Sequence, residues 1–126
     1  MSVAYVDTSA LVAIAFGEEG ADDLARRLDD HSRLVSSNLL EAELRAACAR
    51  EGRSVPEDLL SRIGWILTER PLSAEMEIAL DRGYLRGAAL WHIATALYAA
   101  PEPEAISFIT LDENQARVAR ALNFQD

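Results

Sequence analysis

The chain has 126 residues, enough for one buried core and too few for two, so a single domain over residues 1–126 is expected. Its composition, 50% hydrophobic and 26% charged, excludes a disordered chain. The formal net charge of −9 argues against nucleic-acid binding by electrostatics alone, unless metal ions or a local arginine cluster reverse the field.

Residues 1–6 read as a short buried strand, with Val3, Tyr5 and Val6 apolar and β-favouring. Asp7 interrupts that apolar stretch, so no signal peptide is expected there, and no apolar run approaches the ~18–20 residues that span a bilayer. A helix is expected over 9–16, capped by Thr8 or Ser9, and a second over 21–29 after the punctuation of Gly17 and Gly20. Residues 33–36 form the next strand candidate. A long helix over 39–50 stops at Gly52. The lone Cys48 lies in its apolar stretch and reads as a free core thiol of a cytoplasmic protein.

Pro56 opens a fourth helix carrying Leu59, Leu60, Ile63, Ile66 and Leu67 at helical spacing, and Pro71 breaks it. An extended piece near Leu72 and a helix over 73–80 follow. Residues 88–100 are apolar nearly all round, the mark of a buried helix. After the solvated loop 101–104 comes a strand over 105–110 and a last helix over 112–122, with Phe124 in a short final strand. Strands alternating with helices, joined by connections too long for hairpins, imply a parallel sheet covered on both faces. Ligands of such sheets bind beyond the carboxyl ends of the strands.

Asp7 and Asp112 both follow strand candidates and should converge on that edge. Glu41 and Glu43 lie near the start of the 39–50 helix and flank its apolar stripe on opposite sides. Glu41 has local work available, at N3 of a helix capped by Asn38 and four residues before Arg45. Glu43 has no local partner and is the better site acid. Clustered carboxylates repel one another, and Mg²⁺ or Mn²⁺ is the usual compensation, giving a site that hydrolyses phosphodiesters. Asp112 also has a plain structural role, capping its helix with Gln115 completing a capping box. His31 is expected in an exposed loop, and His92 reads as a packed, hydrogen-bonded core histidine. Trp65 and Trp91 are expected to pack. Arg45, Arg50 and Arg53 are candidates for a phosphate-binding strip, although solvated helix faces explain them as well.

These blocks together resemble the PIN domains, especially the VapC toxins of toxin–antitoxin pairs. Val6-Asp7-Thr8-Ser9-Ala10-Leu11 is similar to the family's opening motif, and residues 36–47 to its second, which places the family's glutamate on Glu43. Residues 85–96 look like the third motif. Phe108-Ile109-Thr110-Leu111-Asp112-Glu113 and residues 119–124 look like the fourth. The resemblance implies a three-layer α/β/α sandwich on a parallel sheet of four or five short strands. It also implies an endoribonuclease dependent on Mg²⁺ or Mn²⁺, with Asp7, Glu43 and Asp112 as metal-site acids and Thr8, Ser9 or Thr110 in support. Its implied partners are an RNA substrate, a second copy in a homodimer, and an antitoxin whose basic tail occupies the active site.

One position departs from the family. Ala89 stands where the third motif carries an acid, three residues before His92. Engineered inactivation, divergence compensated elsewhere, and a PIN-like protein that only binds antitoxin or RNA are the competing readings. A haloacid-dehalogenase-like phosphatase fits less well, because Thr8-Ser9 follows Asp7 without a second aspartate.

Overall fold

A computed structural model describes residues 2–126. Strand β1 (Val3–Val6) leads into helices α1 (Thr8–Ala15) and α2 (Ala21–Asp29), then strand β2 (Arg33–Ser37). Helix α3 (Leu39–Arg50), the single turn α4 (Glu57–Leu60) and strand β3 (Ile63–Ile66) follow. Helices α5 (Ser73–Arg82) and α6 (Gly87–Ala99), strand β4 (Ile106–Ile109) and helix α7 (Glu113–Ala121) complete the order, with a 3₁₀ turn at Pro103–Ala105 before β4. Met1, part of the expected first strand, lies outside the described residues.

The sheet has four strands in the order β3-β2-β1-β4, and every pairing is parallel. Alternation along the strands divides the core in two. Ala4, Val6, Leu34 and Ile109 face a cluster built with α1, α2, α3 and α4. Tyr5, Val35 and Phe108 face the opposite cluster, with α5, α6 and α7. Each buried leucine or isoleucine in these layers contributes about 1.5–3 kcal/mol. The result is the expected three-layer α/β/α sandwich. Cys48 is buried in the first layer, as expected.

The expected fourth helix is corrected. Only Glu57–Leu60 is helical, and Ile63–Ile66 is the edge strand paired with β2. The apolar positions satisfied a helical period, but Gly64 weakens a helix by about 1 kcal/mol relative to alanine and Ile63, Trp65 and Ile66 favour a pleated surface. No strand forms at Leu72, which instead precedes α5. The expected final strand is reduced to one bridge between Ser107 and Gln125. His31 is half-buried rather than exposed.

Two helix starts also differ from expectation. Asp7, not Thr8 or Ser9, caps α1, its Oδ2 accepting from the Ser9 N–H at 3.0 Å. Asn38 precedes α3 without a side-chain cap bond; its amide donates to Glu41 instead, and Ser37 Oγ accepts from the Leu39 N–H. At the other end of α3, Gly52 takes φ +64°, the left-handed conformation that ends helices cheaply only at glycine.

Candidate active site

The chain leaves β1 toward β2 on one side and returns through β4 on the other. The carboxyl edge between β1 and β4 is therefore a switch point where a crevice opens. Asp7 stands at this crevice, its backbone N–H donating to the Ile109 carbonyl at 2.9 Å. A cavity of about 520 Å³ opens there, and Asp7, Glu43, Asp112, Thr8, Ser9 and Ala89 all line it. Sequentially distant carboxylates are thus brought to one place by β1, α3 and the β4–α7 turn.

Asp7 is only 7% exposed, and both its oxygens are engaged. Oδ2 caps α1, and Thr110 Oγ1 lies 3.3 Å from it; Oδ1 accepts from Gln115 Nε2 at 3.1 Å. Ser9 Oγ meets Thr110 Oγ1 at 3.2 Å and accepts from the Leu111 N–H at 3.0 Å, which closes the turn after β4. Asp112 is exposed. Its Oδ1 accepts from the Gln115 N–H at 3.0 Å, so the capping role exists. The box is not completed, however, because the Asp112 N–H goes to Thr110 Oγ1 and the Gln115 side chain turns inward.

Glu43 and Glu41 part company as their local chemistry suggests. Glu41 accepts from Arg45 Nε at 2.8 Å and from Asn38 at 2.9 Å, away from the cavity lining. Glu43 Oε1 accepts from Thr8 Oγ1 at 2.7 Å and faces His92 Nε2 at 3.2 Å. The His92 bond holds the Glu43 carboxyl below the usual glutamate range, with Thr8 adding to it and partial burial opposing.

His92 is buried and hydrogen-bonded, as a core histidine should be, yet it also lines the cavity. Its Nδ1 meets the Tyr5 hydroxyl. Burial pushes the Tyr5 phenol well above its usual pKa, so the hydroxyl stays protonated. That oxygen accepts from the Ser37 N–H at 3.1 Å and lies 2.7 Å from His92 Nδ1. On the other side of the ring, Nε2 lies 3.2 Å from Glu43 Oε1 and 3.0 Å from Thr8 Oγ1, and it donates to the ionised Glu43, which can only accept.

Two participants, Tyr5 and Gln115, were not read as site residues from the sequence, where Gln115 figured as a capping partner of Asp112. Gln115 carried a legible signal: with Val118, Ala119 and Leu122 it occupies the apolar stripe of α7, an odd position for a polar side chain. Tyr5 carried none, since an apolar strand residue reads as packing. The arginine strip does not form. Arg45 is held by Glu41 and Glu57, Arg50 pairs with Glu51, and Arg53 lies 4.6 Å over the Phe16 ring. Arg86, at the start of α6, is the arginine that lines the cavity. Trp65 packs against the first core layer as expected, while half-buried Trp91 donates from Nε1 to Ser37 Oγ at 2.9 Å.

The donor chemistry suits a hydrated hard cation better than a closed cage. Among the described residues, no group of three His, Cys, Asp or Glu side chains gathers closely enough to enclose a metal. Mg²⁺ needs less, since it is usually held by one or two carboxylates, waters and the substrate's phosphate. Asp112 and Glu43 each use one oxygen in the bonds above and keep a second for such a role.

An α/β sandwich with a carboxylate-lined crevice at the switch point of a parallel sheet defines the class of doubly wound domains whose ligands meet acids beyond the strand ends. The PIN domain family matches residues 4–121, nearly the whole chain, and this chain belongs to it. No curated protein and no solved structure matches the chain. No described helix is long and apolar enough to cross a membrane.

Proposed function

We propose that this chain is a metal-assisted endoribonuclease of the VapC toxin type. The observation that carries the reading is the shared cavity of Asp7, Glu43 and Asp112, lined also by Thr8 and Ser9. A Mg²⁺ or Mn²⁺ ion would be held by Asp112 and Asp7, with Glu43 beside it. When bound, the ion supplies charge neutralisation on the scissile phosphate and a more acidic water.

The chain's own residues do the positioning. Tyr5 holds the His92 ring through Nδ1, and His92 with Thr8 fixes one oxygen of Glu43, leaving the other to orient a water or a phosphate-bound group. Asp112 is anchored by the α7 N–H it caps, and Thr110 with Ser9 holds the turn that carries it. Arg86 offers a phosphate contact at the rim. On the same reading a basic antitoxin tail fits the acidic cavity, and the toxin pairs as a homodimer in the cytoplasm.

A second reading, a PIN-like protein that binds antitoxin or RNA without cutting, is favoured by one observation: Ala89 presents a methyl group to the cavity. The discriminating experiment incubates end-labelled structured RNA with Mn²⁺ and the chain, its Ala89→Asp variant and its Asp7→Asn variant. The nuclease reading expects slow cleavage abolished in Asp7→Asn and raised at least about tenfold in Ala89→Asp. No cleavage by the chain or by Ala89→Asp, with RNA retained, would establish the binding role instead.

A further inference from the structure

Gln115 is wholly buried, and every polar atom of its side chain is spoken for. Its Nε2 donates to Asp7 Oδ1 at 3.1 Å and to the Ala89 carbonyl at 3.2 Å, and its Oε1 accepts from Thr110 Oγ1 at 2.7 Å. One carboxamide therefore ties the first carboxylate, the helix position that lacks an acid, and the turn before Asp112. Among the described residues, no arginine pairs with Asp7, and His92 Nε2 stands 3.9 Å from its Oδ1, beyond hydrogen-bond reach. A buried carboxylate is costly unless its oxygens are met: the Ser9 N–H at the start of α1 serves Oδ2, and the Gln115 N–H₂ is the group that serves Oδ1.

We infer that Gln115 is a positioning residue that stands in for a cation at Asp7. Its carboxamide holds the site assembled without metal, and a divalent ion reaches Asp7 only by sharing or displacing that amide. Gln115 and Ala89 together thereby set the site's metal affinity low. The inference rests on reading Asp7 as a metal-site acid, and it is independent of whether RNA is cut.

The test uses the full chain and Mn²⁺ alone as probe, with titration calorimetry for affinity and thermal melting in chelator and in Mn²⁺. Gln115→Glu adds a carboxylate against Asp7 Oδ1. It should melt lower than the parent in chelator, recover in Mn²⁺, and bind Mn²⁺ at least roughly tenfold more tightly. Gln115→Met keeps the volume but removes the amide; it should also melt lower in chelator and gain more from Mn²⁺ than the parent does. Equal Mn²⁺ affinity in the parent and Gln115→Glu, or an unchanged chelator melt for Gln115→Met, overturns the inference. If Gln115→Glu does not fold, the Gln115→Met melts decide alone. A further Asp7→Asn change in the Gln115→Glu background separates the two ideas. Tight Mn²⁺ binding that survives it refutes Asp7 as a metal-site acid, while the Gln115→Met melt still judges the amide's role.

Discussion

Tyr5 ties the sheet to the cavity: its hydroxyl meets the Ser37 N–H and His92 Nδ1, and Nε2 of the same ring meets Glu43. Tyr5→Phe leaves the Ser37 N–H and His92 Nδ1 without their partner inside a buried layer. The expected loss is about 1–3 kcal/mol of unfolding free energy, read by urea denaturation. Imidazole nitrogen NMR should also show the His92 Nδ1 resonance moving; an unaltered spectrum would contradict the Tyr5–His92 bond. The place of Glu43 at the cavity was legible at this scale because it lacked a local partner while Glu41 had two. Gln115 was legible as an odd polar residue on the stripe of α7, but its partners were not, because its bonds to Asp7 and Ala89 link residues far apart in sequence.

Helix α3 is closed at both ends by local chemistry that a sequence can display. Gly52→Ala would force a Cβ into the left-handed region, although nothing lies within 4 Å of it. The cost is then conformational alone, about 1 kcal/mol, and denaturant melts should show no accompanying change in m-value. At the start of α3, Arg45 first and Asn38 second hold the Glu41 carboxyl below its usual pKa. Ionised Glu41 therefore contributes stability that is fully present above the usual glutamate range and lost as pH falls through its folded pKa. Glu41→Gln should be less stable than the parent near about pH 7, the gap should shrink as pH falls through the folded Glu41 pKa, and a gap that ignores pH would contradict the pairing. The same helical rules misled at β3. Its four residues gain their hydrogen bonds from β2, a partner no local window contains.

Across the whole molecule, the charge of −9 sets how a nucleic acid can approach. Several arginines are spent on neighbouring acids, as Arg26 is on Asp23, Arg62 on Asp29 and Arg70 on Glu75. RNA retention measured in chelator should therefore lack the steep loss with added salt that basic binders show, because salt screens repulsion as well as attraction. A strongly negative salt slope would reveal a cationic face that the fold does not display. Added Mg²⁺ should raise retention in the parent and less so in Asp7→Asn.

The sequence by itself determined the alternation of strands and helices, the two-sided burial of the sheet, and the acids that follow β1 and β4. Each depends on local periodicity or on a residue's place beside an element. The tertiary structure alone decided that Ile63–Ile66 is a strand, that Tyr5 speaks to Glu43 through His92, and that Gln115 answers Asp7 beside Ala89. Those outcomes depend on which side chains meet across the sheet and the crevice, and such meetings arise only when the elements pack.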